Sequence, residues 1–365
     1  MEQEEIKPRR LYWPQLDGLR FFAALLVIIH HAPLPPGMPL RLKHAGWAGV
    51  NLFLVLSAYL LARLLREEVE TTSKIRLGKY FARRVLRIWP LYLGFVTVDL
   101  CYTIYTGHFS AHALGVWLSH MAFFNNFVTA WFGYEANLPF TPHLWTISLE
   151  EQFYLAIPFV LPVLMKQPTR RVVVLLMSCL SFLMIARVAC VLLSIKHPFI
   201  WTLPLRGDAF VLGVGFALGA FDRLYHSVSG NSWFFTGFLL FIGSHFFGTP
   251  DLMRWKTVLL YTVTDIACLL MVMGCMKGTL MNGVFCTRPL RYLGKISFGL
   301  YVYHVVSIRI AGSLLGEWEL QRHGWWEFVL SLLVTFVLSA LSYEMYEKWF
   351  LRFKHRFEVV LSRPN

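Results

Sequence analysis

The chain has 365 residues, of which 56% are apolar and 16% aromatic, while only 15% are charged. Soluble domains carry about 25% charged residues, so disorder, a coiled coil and a solvated nucleic-acid reader are excluded. The net charge of +13 therefore fits basic cytoplasmic loops between membrane spans better than a nucleic-acid partner.

The first ten residues are polar and mixed in charge. No small-residue cleavage site follows the first apolar run, so an uncleaved anchor is expected rather than a signal peptide. Apolar runs of about the length a spanning helix needs lie near 18–34, 46–62, 88–106, 145–165, 172–194, 203–221, 233–248, 257–276, 296–315 and 326–347. A further aromatic run at 113–131 is broken by His120, Asn125 and Asn126.

Charge decides whether that run crosses. With a cytoplasmic amino terminus and no crossing at 113–131, 24 of the 34 Lys and Arg fall inside and seven outside, with Arg20, Arg187 and Arg309 within spans. A crossing there would move 13 basic residues outside, against the positive-inside bias. The expected fold is an all-α polytopic transmembrane helix bundle of about ten spans, both termini cytoplasmic. One membrane domain is expected over 1–355, followed by a short polar tail at 356–365. Segment 107–144 has four His, many aromatics and no Lys or Arg, and is placed on or in the outer face.

Charge at membrane depth costs about 2.5–3.5 kcal/mol per group on the insertion scale, so each instance needs a reason. In the first span Arg20 and His31 are 11 residues apart, about 16 Å of rise and nearly one azimuth. Such a stripe can hold a charged ligand and supply a base. The alternative is that Arg20 snorkels and caps with Asp17. In the fourth, Ser148, Glu151 and Tyr154 recur at i, i+3 and i+6, with Glu150 beside them. A carboxylate here can orient a histidine, or the acids can simply favour a helix start. Arg83, Arg84 and Arg87 form a compact cluster at the inner mouth of the third span, suited to phosphate or to anionic lipid.

Smaller groups have blander readings. Arg206-Gly207-Asp208 fits a local ion pair, and Gly215 and Gly219 fit close helix packing. His304, three residues after Tyr301, fits a packing role as well as a functional one. The six cysteines read as small apolar residues, without the spacing of a zinc site, so no metal is expected.

Four ordered stretches, LDGLR through His31, GVNLFLVLSAYL, RRVLRIWPLY and HLWTISLEEQFYL, with the later LGKISFGLYVYH, resemble the acyltransferase 3 family of membrane O-acyltransferases. The resemblance runs from Leu16 to about His304. It implies transfer of an acyl group, most often acetyl, from cytoplasmic acyl-CoA (acetyl-CoA as donor co-substrate) to a hydroxyl of a carbohydrate or glycan acceptor. It also implies a multi-pass protein of the bacterial cytoplasmic membrane. On this resemblance His31 is the catalytic histidine and Arg20 its partner, Arg84 and Arg87 belong to the donor side, and Glu150 and Glu151 form the acidic pair. The mechanism it favours has His31, oriented by Glu150 or Glu151, as base for direct transfer, with an acyl-enzyme on Ser148 or His31 as the lesser route. Asn51 stands where the family commonly has an acid, and Ala58-Tyr59 where it has Gly-Phe. The rival class is a transporter or flippase for a glycan or lipid carrier. Neither an inverted repeat nor paired Gly/Pro-broken helices support that class. Acceptor and oligomeric state are left open.

Overall fold

The computed structural model describes residues 11–33, 35–195, 202–245, 255–317 and 324–361. The polar first ten residues, the last residues of the tail, and Lys196, Arg254 and Arg322 lie outside these. The described residues are helical, with no β-strand among them. In chain order the helices are α1 (Pro14–His31), α2 (Leu40–Ala45), α3 (Ala48–Thr72), α4 (Leu77–Tyr105), α5 (Ala111–Met121), α6 (Asn125–Phe132), α7 (Trp145–Met165) and α8 (Thr169–Leu192). There follow α9 (Leu203–Arg206), α10 (Asp208–Ala217), α11 (Asp222–Ser227), α12 (Gly230–Ser244), α13 (Trp255–Lys277), α14 (Thr279–Phe285), α15 (Arg288–Lys295), α16 (Ser297–Glu317), α17 (Gly324–Ser342) and α18 (Lys348–Lys354).

Seven helical segments among the described residues are long and apolar enough to cross a membrane: 40–72, 77–105, 142–165, 169–192, 255–277, 297–316 and 324–357. Three expected spans fall short of that test. The α1 helix has 18 residues and carries Asp17 and Arg20, α10 has 10 residues, and α12 has 15. At 113–131 the chain forms the 11-residue α5 and the 8-residue α6. Neither reaches the roughly 20 residues of a crossing.

The sequence explains why α1 sits at the centre. Pro14 opens it in the first turn, where its missing N–H costs nothing, and its buried side includes Leu16, Leu19, Ala23, Ala24, Val27 and Ile28. It packs against α3, α15 and α16. Gly46 and Gly49 let α3 press onto it: a Cβ at Gly46 would stand 2.7 Å from His30 Cβ, and one at Gly49 2.9 Å from Val27 Cγ2. This close approach puts the start of α3 level with His30 and His31. Further round, α10 packs on α3, α12 pairs with α13, and α16 pairs with α17.

The expected packing glycines divide in role. A Cβ on Gly215 would meet Leu176 of α8 at 2.7 Å, a helix contact. Gly219 instead has φ +82°, the left-handed turn that ends α10 and that glycine adopts without strain. All six cysteines are free; Cys268 and Cys275 are buried, but Cys101 and Cys179 lie on the protein's exterior.

The α17 helix continues through a π turn at Tyr343–Glu347 into α18, which packs on α4. The stretch read as a short polar tail begins against the body. The Phe357 carbonyl accepts from Arg83 Nη1 at 2.8 Å, and the Leu361 carbonyl accepts from the Leu11 amide at 2.8 Å.

Candidate active site

Three helix-borne or helix-flanking histidines meet around the end of α1. Ring centroids of His31 and His304 are 4.8 Å apart, of His143 and His304 4.4 Å, and of His31 and His143 6.4 Å. His143 and His304 are buried, and His31 is partly so. Backbone carbonyls select the tautomers, because a carbonyl only accepts. His31 Nδ1 lies 3.0 Å from the Val27 carbonyl and so carries the proton; His304 Nδ1 does likewise at 2.6 Å from the Tyr301 carbonyl. His304 Nε2, 3.2 Å from His31 Nδ1, is then an acceptor facing that N–H.

What remains is the lone pair on His31 Nε2. Its neighbour is the Tyr134 hydroxyl at 3.3 Å, from the segment expected to lie on the outer face. Burial, with Glu135 alongside, raises the Tyr134 phenol above its ordinary value, so it stays protonated and donates. In the same segment His120 is held by Tyr92 at 2.8 Å, and burial pushes its imidazole down to about 3. It is neutral at physiological pH.

A second feature approaches from the opposite side. A slender cavity of about 180 Å³ runs between α1, α3, α4, α7 and α16. Along α3 it is lined by Val50, Phe53, Ser57, Leu61, Leu64 and Glu68, a span of 18 residues and so about 27 Å of helix. One end is basic, with Arg83, Arg84, Arg87 and Lys354. The other holds Phe53, Thr146 and Tyr301, next to the histidines.

Arg20 lines the slot between these ends and has neither a hydrogen bond nor an ion pair among the described residues. The same holds for Arg87. Arg84 also has no hydrogen bond or close ion pair among the described residues, and its guanidinium lies over the Tyr154 ring, 5.6 Å to the centroid. Arg83 is different: its Nη2 pairs with Glu68 at 2.8 Å while Nη1 holds the Phe357 carbonyl, so it fastens the mouth of the slot. Guanidinium forks without a hydrogen-bonded partner, in a slot that also carries Glu68 and Glu150, suit phosphate.

The acidic pair does not reach His31. Glu150 lines the slot and accepts from the Tyr154 hydroxyl at 3.1 Å, whereas Glu151 Oε1 is buried without a hydrogen-bond partner. Ser148 Oγ is buried and unpartnered as well. The slot-facing stripe of α7 is Thr146, Ile147, Glu150 and Tyr154, rather than the expected Ser148, Glu151 and Tyr154. The reason is depth. His143, seven residues before Glu150, is already level with His31, which leaves Glu150 about 10 Å of helix rise away. Tyr134 and His304 occupy the positions expected of a carboxylate. Arg20 does not pair with Asp17, which accepts from Tyr12 at 2.8 Å.

The expected Arg206–Asp208 pair is also absent, and two longer-range networks replace it. Asp208 takes both Nη atoms of Arg187, at 2.8 and 2.9 Å, and Thr262 donates to it at 2.6 Å. Arg206 Nη2 donates to Asn51 Oδ1 at 2.7 Å, and Asn51 Nδ2 donates to Asp265 Oδ1 at 2.6 Å. The Arg206 guanidinium lies over Trp47, Trp145 and Tyr261, at 5.9, 5.2 and 4.6 Å. It thereby braces the first residue of α7. Asp265 supplies from α13 the acid that position 51 lacks. Among the described residues no group of three or more His, Cys, Asp or Glu side chains is placed to hold a metal ion.

The family model described as an acyltransferase domain, acyltransferase 3, matches residues 13–344, and the chain belongs to that family. It is 25% identical to the putative peptidoglycan O-acetyltransferase YrhL of Bacillus subtilis, over 92% of this chain and 54% of the relative. It is likewise 25% identical to the peptidoglycan O-acetyltransferase OatA of Listeria monocytogenes, over 93% of this chain and 56% of the relative. For the O-acetyltransferase OatA of Staphylococcus aureus the identity is 24%, over 92% and 57%. The chain thus spans just over half the length of these curated relatives. No solved structure matches it.

Proposed function

We propose that this protein is a membrane O-acyltransferase that moves an acyl group, acetyl foremost, from acyl-CoA to a hydroxyl of a cell-envelope glycan. The observation that carries the reading is the position of His31: its Nε2 is met by the Tyr134 hydroxyl of segment 107–144, while a basic-ended slot approaches the histidine cluster from the other side. The acceptor named for the relatives, peptidoglycan, is the first to try. Seven long spans supplemented by α1, α10 and α12 make about ten crossings, with both termini on the cytoplasmic side of the bacterial inner membrane. The charge distribution supports that topology.

In this reading Arg84 and Arg87, with Arg83 fastening the mouth, receive the donor's phosphates, and Arg20 offsets negative charge deeper in the slot. The bound thioester supplies an activated carbonyl. His31 Nε2 accepts the proton of the acceptor hydroxyl as that oxygen bonds to the carbonyl carbon. The C–S bond breaks, and the departing thiolate recovers the proton from His31. Tyr134, next to Nε2, positions the hydroxyl, and His304 holds the ring. Glu150 fixes Tyr154 on the slot wall, Glu151 supports the same helix, and Ser148 stays a bystander because its buried Oγ has no base bonded to it.

The test is release of CoA thiol by the purified protein in nanodiscs, given acetyl-CoA with and without an envelope glycan extract. Release should require the extract and should fall about 100-fold or more in His31→Ala. Full activity in His31→Ala would refute the assignment.

A further inference from the structure

The slot stops short of His31. Its histidine end is closed by Tyr301, whose hydroxyl donates to the His143 carbonyl at 2.5 Å and meets Thr146 Oγ1 at 2.6 Å. The Phe53 ring stands edge-on to it, with centroids 6.2 Å apart. Directly behind lie the rings of His143 and His304, at 5.2 and 5.7 Å. Tyr301 is therefore the wall that closes the slot in front of the histidine cluster, held by two hydrogen bonds and a ring contact.

On the acyl-CoA reading, on which this inference rests, a donor anchored by its phosphates at Arg84 and Arg87 presents its acyl end to that partition. Beside it the slot is bounded by Val50, Phe53 and Ile147, all apolar and suited to a methyl group. A longer chain must displace Phe53 from its ring contact or Tyr301 from its bonds to Thr146 and His143. Overfilling a packed site is unfavourable. We propose that Tyr301, braced by Thr146 and Phe53, is a specificity-determining residue: it ends the donor slot at an acetyl-sized space and restricts the protein to short acyl groups.

The test is binding, which needs no acceptor. Dissociation constants for CoA, acetyl-CoA and hexanoyl-CoA are measured on the full chain in nanodiscs, as wild type, Tyr301→Ala and Phe53→Ala. The wild type should bind CoA and acetyl-CoA alike and hexanoyl-CoA about tenfold more weakly or worse. Either substitution should reduce that ratio to about threefold or less. A merely structural role would weaken all three ligands together and leave the ratio unchanged. Phe53→Ala leaves the Tyr301 hydrogen bonds in place and serves if Tyr301→Ala does not fold. Equal binding of all three by the wild type, or an unchanged ratio in the folded variants, overturns the proposal. A wild type that binds none of them, CoA included, defeats the acyl-CoA reading and the proposal with it.

Discussion

Asn51 makes two opposed demands on one amide: its oxygen must accept from Arg206 and its nitrogen must donate to Asp265. Only an amide satisfies both, and this gives a charge-swap prediction. Asn51→Asp sets two carboxylates against each other, and Asp265→Asn leaves Arg206 without its acid. Each should lower stability, by about 3–5 kcal/mol if the buried network breaks fully. The double variant N51D/D265N restores one acid and one amide, and should melt above both single variants. If the two losses simply add, the relay is not real. None of this was foreseeable from spacing, because the partners are 214 residues apart and Asp265 sits unannounced in an apolar run. Arg20 and His31 stood out as candidates in the sequence because one helix carries both at a separation close to one azimuth. Tyr134 was not, since it lies in a short 3-10 turn with no hydrophobic period. His143 opened a recognisable stretch, yet only the fold brings it to His304. The Glu150–Glu151 pair was misplaced for a related reason: residue type suggested a partner, but helix depth assigned a different one.

At the scale of elements, the site depends on how closely α3 can lie against α1. Gly49 faces Val27 and Leu26, where an added Cβ would stand 2.9 and 3.0 Å away. Gly49→Val should push the helices apart, cost about 1–3 kcal/mol and reduce acyl transfer, because α3 forms one wall of the slot. Gly78→Val is the control: a Cβ there meets nothing within 4 Å, and neither melting temperature nor activity should change. A Gly49→Val protein as stable and active as the control would show that the close approach is unimportant. The long apolar helices were apparent from composition and length. The less regular elements were not. The run at 203–221 divides at Gly207 into α9 and α10, where Arg206 and Asp208 turn to separate partners, and 113–131 resolves into two short helices. In each case buried polar side chains, rather than hydropathy, determine where the helix breaks.

At the scale of the whole molecule, a slot and a polar segment approach the histidine cluster from two sides. The slot begins at Arg83 and Lys354 and ends at Tyr301, while His31 Nε2 looks toward Tyr134 in segment 107–144. Fold class and family were evident in the sequence because motif order and apolar periodicity survive without coordinates. The closure of the slot by Tyr301 ahead of the histidine cluster was not, since it depends on how α7 and α16 meet. On the proposed function, the donor and the acceptor reach His31 from opposite faces of the membrane. The most direct measurement uses proteoliposomes with labelled acetyl-CoA sealed inside and peptidoglycan fragments outside. Labelled ester should form on the outside fragments with no escape of labelled acetyl-CoA, and should vanish in His31→Ala. Ester formation only when both substrates share one compartment would contradict the account.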